Sequence, residues 1–546
     1  MVAAAWNSNS PQHEPFHKLY HKLQATAEAL RAWSKQLIPD AKLHLHMALE
    51  VILRLDEAQE HRQLSPEEQS LRKRLKLRVQ GLAVIERARR SQAARLRELK
   101  LGDANTKFFH RRINARRRKN FIQRLKKRDA GWVTTHEEKA AEIQSHFTVT
   151  MQRPPVRHAD FNWDLLGIQQ HDLRALDDPF SEQEIKNAID QMPGDKAPGP
   201  DGITGAFLKA CWDIIKNDFM EAANAFHCLR TSSLQLINSA NIILIPKKDG
   251  ADTVGDFRPI SLIHSFVKVI TKTLALRLQK YMPSIVSQCQ SAFIKTRSIH
   301  DNFMAVRTVA RRYHRNKTPA LFLKLDITKA FDLVRWEYLL NLLQHLGFPQ
   351  RWRDWIAALL STYTSRVFLN GVPNPPIHHG RGLRQGDPLS PLLFVLAIDP
   401  LQRILELATE MGALTKLRGK GPHLRISMYA DDAALFVAPL QDEVRTLANI
   451  LNSFGEVTGL KTNFQKSTVI PICCQGIDLS PVLIGLAAKR ASFPIRYLGL
   501  PLSTTRLKSV DFQPVVDKMT GKLNAWNGRN VSMARRLTLV KSVLTS

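Results

Sequence analysis

Cysteine is scarce in this chain: five residues in 546, at Cys211, Cys228, Cys289, Cys473 and Cys474. The number is odd and no C-x-x-C pair occurs, so neither a disulfide framework nor a zinc knuckle is indicated. A reducing compartment is expected. Long apolar runs are missing as well. No stretch approaches the roughly 18 residues that span a bilayer, and the N-terminus lacks the basic-then-apolar pattern of a signal peptide. An intracellular, soluble protein with no membrane partner is the expectation. There is no repeat at a solenoid period and no low-complexity tract. The G-x-x-x-x-G-K-[ST] loop is absent, which excludes the P-loop solution to nucleotide binding. Acidic charge is short too: 49 Asp+Glu against 79 Lys+Arg leave a formal net charge of +30. Such an excess favours a polyanionic partner, nucleic acid before a membrane surface.

What is present divides unevenly. The length allows about three or four domain-sized units. The first ~130 residues read as helix, poor in glycine and rich in Ala, Leu, Glu, Lys and Arg. Ser65-Pro66-Glu67-Glu68 reads as a helix start, with Ser as cap and Glu68 closing a capping box. Between Glu86 and Arg128 there are 17 Lys/Arg against 3 Asp/Glu, densest at Arg116-Arg117-Arg118-Lys119. Phe108, Phe109 and Phe121 interleave with that charge, a mixture that suits stacking on bases or docking onto a core, and nucleic-acid contact is the expectation. Met151–Pro155 reads as a linker. A second capping box, Ser181-x-x-Glu184, opens a helix to Gln191. Beyond it come a strand at Asn241–Pro246, a helix at Ile260–Leu278, a buried strand at Ala320–Ile327 and a helix at Trp336–Leu346. A hairpin follows around Val367–Gly371, and then a helix that Ser390 caps, with Pro391 in its first turn. Strands and helices mix without strict βαβ alternation, so the fold class is α+β.

The chemistry concentrates on carboxylates. Asp431-Asp432 sits at the tip of a hairpin between the apolar runs Ile426–Met428 and Ala433–Val437, and Asp326 ends the run Leu321–Leu325. An Asp-Asp pair alone is an ordinary polar turn. Three carboxylates at the ends of buried strands suit a pair of divalent cations, and such a pair suits phosphoryl or nucleotidyl transfer. Lys247, Lys248 and Arg258 flank a turn at Asp249-Gly250 and supply positive charge for a triphosphate.

In chain order the blocks are K-A-P-G-P-D-G (Lys196–Gly202), Ile245-Pro246-Lys247-Lys248, D-F-R-P-I-S-L (Asp256–Leu262) and Gln290-Ser291-Ala292-Phe293. Next come L-D-I-T-K-A-F-D (Leu325–Asp332), R-G-L-R-Q-G-D-P-L-S-P (Arg381–Pro391) and Tyr429-Ala430-Asp431-Asp432. Gly459–Ser467 and R-Y-L-G-L-P-L (Arg496–Leu502) complete the series. Together they resemble the reverse transcriptase of non-LTR (LINE-type) retrotransposons, the plant kind in particular, and Gly102–His110 resembles the segment that precedes the polymerase there. The resemblance implies a right-hand polymerase of fingers, palm and partial thumb with a basic helical N-terminal extension. It implies RNA-directed DNA synthesis, in which a primer 3′-hydroxyl attacks a dNTP on an RNA template. The implied partners are that template, a DNA primer or target, and dNTPs, with nuclear action.

Residue roles follow from the same resemblance. Asp326, Asp431 and Asp432 would be the catalytic carboxylates on two Mg²⁺ (Mn²⁺ being an alternative), with the Ile327 carbonyl as a further ligand. Arg258 would grip the triphosphate, with Lys247 a second candidate. Phe331 would exclude a ribose 2′-hydroxyl. Gln385-Gly386 would touch the template base and nucleotide sugar, with Asp387 read instead as a helix cap. Lys466 would protonate pyrophosphate, with Lys461 nearby as the competing placement. Arg111, Arg112, Arg116, Arg117, Arg118 and Lys119 are the nucleic-acid candidates. The expected division is a helical extension over 1–150, a linker over 151–180, fingers and palm over 181–475 and a truncated thumb-like segment over 476–546. Nothing resembles an endonuclease, an RNase H carboxylate set or a Cys/His knuckle. A catalytically inactive nucleic-acid-binding relic and a group II intron maturase-like protein are the alternative readings.

Overall fold

The computed structural model describes residues 1–8, 14–37, 41–94, 114–127, 131–157, 159–417, 424–523 and 532–540. Its strands, in chain order, begin with the two-residue pair β1 (Leu125–Lys126) and β2 (Trp132–Val133). A first sheet follows: β3 (Ser239–Pro246), β4 (Phe257–Ile263), β5 (Ala320–Leu325), which belongs elsewhere, then β6 (Thr364–Leu369), β7 (Val372–Pro373) and β8 (Ile377–His378). The remaining strands are β9 (Ile426–Tyr429), β10 (Asp432–Val437), β11 (Thr468–Ile472), β12 (Lys489–Arg490), β13 (Ile495–Tyr497) and β14 (Leu500–Leu502). The first sheet runs β4-β3-β6-β7 with β8 on β6; the second runs β12-β11-β5-β10-β9. Helices fill the rest, so the fold is α+β. Among the described residues no helix is long and apolar enough to cross a membrane.

The second sheet is apolar on both faces because it separates two cores. Leu321, Leu323 and Leu325 of β5 join Ala433, Leu435 and Val437 of β10 in the main core. The alternate residues, Ala320 and Phe322 with Ala434 and Phe436, join Ile470 and Ile472 on the other face. Period-two alternation places successive side chains on opposite faces, which is why these strands read as continuous hydrophobic runs. The helix Ile299–Arg315, capped by Ser298, covers the second face through Val306, Val309, Ala310 and Tyr313. The first sheet buries Ile242, Leu244, Phe257 and Val367 against Ile143, Phe147 and Met151 of the helix His136–Met151.

Several expectations change on contact with the structure. The helix expected over Ile260–Leu278 is a strand to Ile263 and a helix only from Ser265. Ser390 is the first helical residue rather than the cap; the cap position is Leu389, which makes no side-chain cap bond, and Asp387 steadies that residue, its Oδ1 accepting the Leu389 N–H at 2.8 Å. The stretch 151–180, read as a linker, buries Leu166, Leu173, Leu176 and Phe180 in the main core. The N-terminal helix Pro15–Leu37 buries Phe16, Leu19 and Leu23 there too, with Phe16 edge-on to Phe266 at 6.0 Å. Trp6 Nε1–H donates to Asp218 Oδ2 at 2.7 Å. The capping box at Ser65 forms, with Ser65 N–H to Glu68 Oε2 at 2.9 Å and Glu68 N–H to Ser65 Oγ at 3.2 Å.

The K-A-P-G-P-D-G block explains itself structurally. A Cβ on Gly199 would stand 2.1 Å from the Ile263 carbonyl oxygen, so only glycine lets this loop touch the end of β4. Asp201 Oδ2 then accepts the Ser265 N–H at 2.8 Å, at the head of the next helix. Gly199→Ala is therefore expected to destabilise the protein by about 1–3 kcal/mol in denaturant unfolding. Gly485→Ala, whose Cβ would meet nothing nearer than 3.9 Å, serves as the control and should change little.

Candidate active site

Strand pairing assembles the carboxylates. Ala433 of β10 lies opposite Leu325 of β5, and one further step in that register sets Asp326 against Asp432. On its other edge β10 pairs Asp432 with Tyr429, leaving Ala430 and Asp431 as a two-residue turn. Ala430 sits at φ 55°, the left-handed conformation that tight hairpins demand. Asp326 is further fixed by its backbone: its N–H donates to Ser467 Oγ at 3.1 Å, and its carbonyl accepts the Asn463 N–H at 2.7 Å.

The carboxylates feel one another. Burial pushes the Asp326 carboxyl above its ordinary range, and the charge of Asp431 adds to the shift. Burial likewise raises Asp432, with Asp431 and Asp326 both contributing. Lys466 opposes the shift at Asp326 and Lys324 that at Asp432. Asp431 itself is exposed. Among the described residues no three His, Cys, Asp or Glu side chains close on a point where one metal ion could sit. The backbone frame, the all-oxygen donor set and the mutual repulsion nonetheless fit hard divalent cations such as Mg²⁺. Ile327, whose carbonyl is the further candidate ligand, is buried directly after Asp326 and bridges to Thr462.

The other candidates surround this frame. Ile245 pairs with Arg258 across β3 and β4, and the Arg258 side chain is exposed. Burial pushes the Lys247 ammonium down; Asp332, Lys466 and Arg258 are its charged neighbours, and its Nζ donates to the Gly255 carbonyl at 2.9 Å. Asp326 also senses Lys247, so the end of β3 lies within electrostatic reach of that carboxylate. Lys461 is engaged by Glu456 at 2.7 Å, whereas exposed Lys466 is a charged neighbour of Asp326. The structure thereby separates two lysines that spacing alone leaves equivalent.

Phe331 is half-buried and stacks on Phe394 with ring centroids 4.5 Å apart. Its carbonyl accepts the Leu383 N–H at 2.7 Å. Gln385 Nε2 donates to Asp332 Oδ1 at 2.9 Å, and the Gln385 carbonyl accepts the Ser261 N–H at 2.8 Å. Gly386 lies at φ 112°, where a Cβ would press to 2.9 Å from the Ser261 oxygen. Two residues that sequence reasoning did not single out therefore matter here: Asp332, which orients Gln385, and Ser467, which holds Asp326. Both lie inside quoted blocks, so the signal was present but undivided.

Of the basic candidates, Arg117 and Arg118 are exposed, Arg116 is half-buried, and Lys119 pairs with Asp249 at 2.8 Å. Arg118, Lys119, Phe121, Arg124, Trp132 and Lys248 line a groove of about 580 Å³ beside the β3–β4 turn. Arg111, Arg112 and the Gly102–His110 block lie outside the described residues.

Residues 245–502 match the family described as reverse transcriptase (RNA-dependent DNA polymerase). These residues are a reverse transcriptase domain. The chain is 28% identical over 391 residues to the transposon TX1 uncharacterized 149 kDa protein of Xenopus laevis, covering 70% of this chain and 29% of that protein. It is 28% identical over 356 residues to the Retrovirus-related Pol polyprotein from type-2 retrotransposable element R2DM of Drosophila melanogaster, covering 61% and 31%. The RNA-directed DNA polymerase from mobile element jockey of Drosophila melanogaster is 24% identical over 408 residues, covering 69% and 41%. All three are named as proteins of transposable or mobile elements, and this chain is similar to them. The chain spans less than a third of the length of the first two.

The raised Asp432 carboxyl carries a stability consequence. Its ionised form is disfavoured in the folded state, so the penalty is present above the raised pKa and relieved as pH falls through it towards the ordinary Asp range near about 4. With chelator at neutral pH, Asp432→Asn should raise the thermal midpoint by about 1–3 °C, and the gain should vanish in acid. Added Mg²⁺ should raise the parent's midpoint more than the variant's. Equal responses to Mg²⁺ would count against a cation site at these carboxylates.

Proposed function

We propose that this chain is an RNA-directed DNA polymerase of a non-LTR retrotransposon, extending a primer 3′-hydroxyl with dNTPs on an RNA template. The observation that carries the reading is the convergence of Asp326 and Asp431-Asp432 on adjoining strand ends, with Lys247 and Lys466 as charged neighbours of Asp326. In this reading the second sheet is the palm and the first sheet the fingers. Residues 476–546 are a thumb-like segment and residues 1–150 a basic extension. The motif resemblance is what supports the plant affinity of the element and a nuclear place of work.

Asp326, Asp431 and Asp432, with the Ile327 carbonyl, would hold two Mg²⁺ ions, for which Mn²⁺ can substitute. When bound, such ions lower the pKa of a hydroxyl nucleophile and offset charge on the triphosphate. The chain's own residues do the rest. The Arg258 guanidinium, exposed and rigidly mounted on β4, binds phosphate oxygens through paired N–H groups. Lys247 adds a second positive charge beside it. The Phe331 ring, held by Phe394, occupies the space a 2′-hydroxyl would need and selects deoxynucleotides. Gln385, braced by Asp332, and the bare backbone of Gly386 position the template base and the nucleotide sugar. Lys466 holds a proton that it can hand to departing pyrophosphate. Arg117 and Arg118 bind the nucleic-acid backbone, and Phe121 and Trp132, exposed by 58% and 46%, offer stacking faces next to them.

Primer extension on an RNA template by the purified chain tests this directly. The Asp431→Ala, Asp432→Ala double variant should lose at least about a thousandfold in rate. Phe331→Ala should gain about 10–100-fold in relative use of ribonucleotides. A folded parent that binds RNA but never extends a primer would sink the proposal.

A separate binding measurement tests the basic surface. Arg117→Ala with Arg118→Ala should weaken RNA binding and flatten the log affinity against log salt slope by about 1–2. An unchanged slope would remove these residues from the contact.

A further inference from the structure

The Ala430–Asp431 turn is held from behind by a side chain that none of the catalytic roles uses. Gln290 is fully buried. Its Oε1 accepts the Ala430 N–H at 3.0 Å and the Ala292 N–H at 2.9 Å. Its backbone forms a bridge alongside Met428: the Met428 N–H donates to the Cys289 carbonyl at 2.8 Å, and the Met428 carbonyl accepts the Ser291 N–H at 3.0 Å. The same Met428 carbonyl accepts Asn302 Nδ2–H at 2.9 Å, and Asn302 Oδ1 accepts the Tyr497 hydroxyl at 2.9 Å. Arg297 steadies the loop by donating to the carbonyls of Gln290 at 2.7 Å, Val286 at 2.9 Å and Pro283 at 3.1 Å.

The geometry points to Gln290 as a positioning residue, whose side-chain oxygen pins the turn that aims Asp431 and Asp432. The physical reason is the strain in that turn. Ala430 occupies a left-handed conformation that an alanine leaves readily unless its surroundings over-determine it. Its N–H, turned inward from the hairpin, has Gln290 Oε1 as acceptor; without that oxygen the buried donor would be orphaned and the turn free to relax. Only the oxygen is used. Gln290 Nε2 is buried with no hydrogen-bond partner among the described residues, so the amide nitrogen adds nothing to the hold. This predicts which replacement is tolerated: Gln290→Glu keeps an acceptor oxygen while placing a carboxyl at a fully buried position, whose protonated form is the one burial favours, whereas Gln290→Met keeps length and volume but has no oxygen.

The kinetic arm of the test rests on the polymerase reading above; the exchange arm does not. Hydrogen exchange of the parent should show the Ala430 amide strongly protected beside the exposed Asp431. In Gln290→Met that protection should fall while the rest of the second sheet stays protected, and Gln290→Glu should restore it. In primer extension Gln290→Met should lose about 10–100-fold in kcat, with KM for dNTP and affinity for primer–template changed less than about threefold, and Gln290→Glu should recover most of the rate. Rapid exchange at Ala430 in the parent overturns the inference, as does a Met variant that keeps both protection and kcat. If the Met variant does not fold, loss of Ala430 protection in a folded Glu variant overturns it and retention upholds it. An inactive parent with a protected, Gln290-dependent Ala430 amide would remove the proposed activity and leave the pinned turn standing.

Discussion

The pairing of β5 with β10 is the constraint on which the site depends. A slip of one residue would turn every side chain of a strand to the opposite face. Here both faces are buried, so such a slip would exchange Leu321, Leu323 and Leu325 with Ala320 and Phe322 between two differently shaped cores. Phe322 and Phe436 lie against each other at 5.2 Å in one core only. Packing therefore locks a register whose next step is Asp326 against Asp432. The carboxylates contribute nothing to that lock; burial and mutual repulsion make them a cost that the apolar pairing offsets. This is the usual relation between a rigid scaffold and a reactive site, and it explains why the reactive groups sit just past the last paired residues, where water still reaches Asp431.

A second level of order comes from one loop. The segment Gly380–Leu389 donates from Leu383 to the Phe331 carbonyl, accepts from Ser261 at Gln385, and ends with Asp387 accepting the Leu389 N–H just before the next helix. Gly382 at φ 87° and Gly386 at φ 112° let its backbone lie against Asp332 and Ser261. The loop thus ties Phe331 and Asp332, beyond the end of β5, to β4 of the other sheet. Phe331 and Gln385 are thereby held by one hydrogen-bonded loop to β4, the strand that also carries Arg258. A change at either glycine would reach all of them through the backbone.

Much of this was legible in the sequence where local pattern and tertiary role agree. The hairpin bearing Asp431-Asp432, the buried strand ending at Asp326 and the capped helices at Ser65 and Ser181 announce themselves by alternation or by capping residues. The strand Phe257–Ile263 did not, because F-R-P-I-S-L-I runs without a break into the apolar helix that begins at Ser265, and composition alone does not mark the change of period. The segment 151–180 shows its Pro-Pro break but not its burial, since Leu166, Leu173, Leu176 and Phe180 are held by residues distant in sequence. Lys461 and Lys466 could not be told apart until Glu456 engaged the first. Asp332, Ser467 and Gln290 act only through backbone groups or side chains that the fold brings alongside, and no spacing rule points to such partners.

The basic character of the chain and its acidic centre are complementary. Lys466, Lys324 and Lys247 oppose the rise that burial imposes on Asp326 or Asp432, so nearby cations favour the ionised carboxylates. Without them the rise at Asp326 and Asp432 would be larger, and it is the ionised carboxylate that a metal ion binds. The same positive field attracts a phosphate backbone over a distance, but that attraction is screened within about 8 Å at physiological salt. The carboxylate cluster, partly withdrawn from solvent, is screened much less. Salt should therefore weaken nucleic-acid capture before it disturbs the centre itself, which separates the two contributions of charge: the surface governs whether a strand arrives, and the strand-end aspartates govern what happens to it.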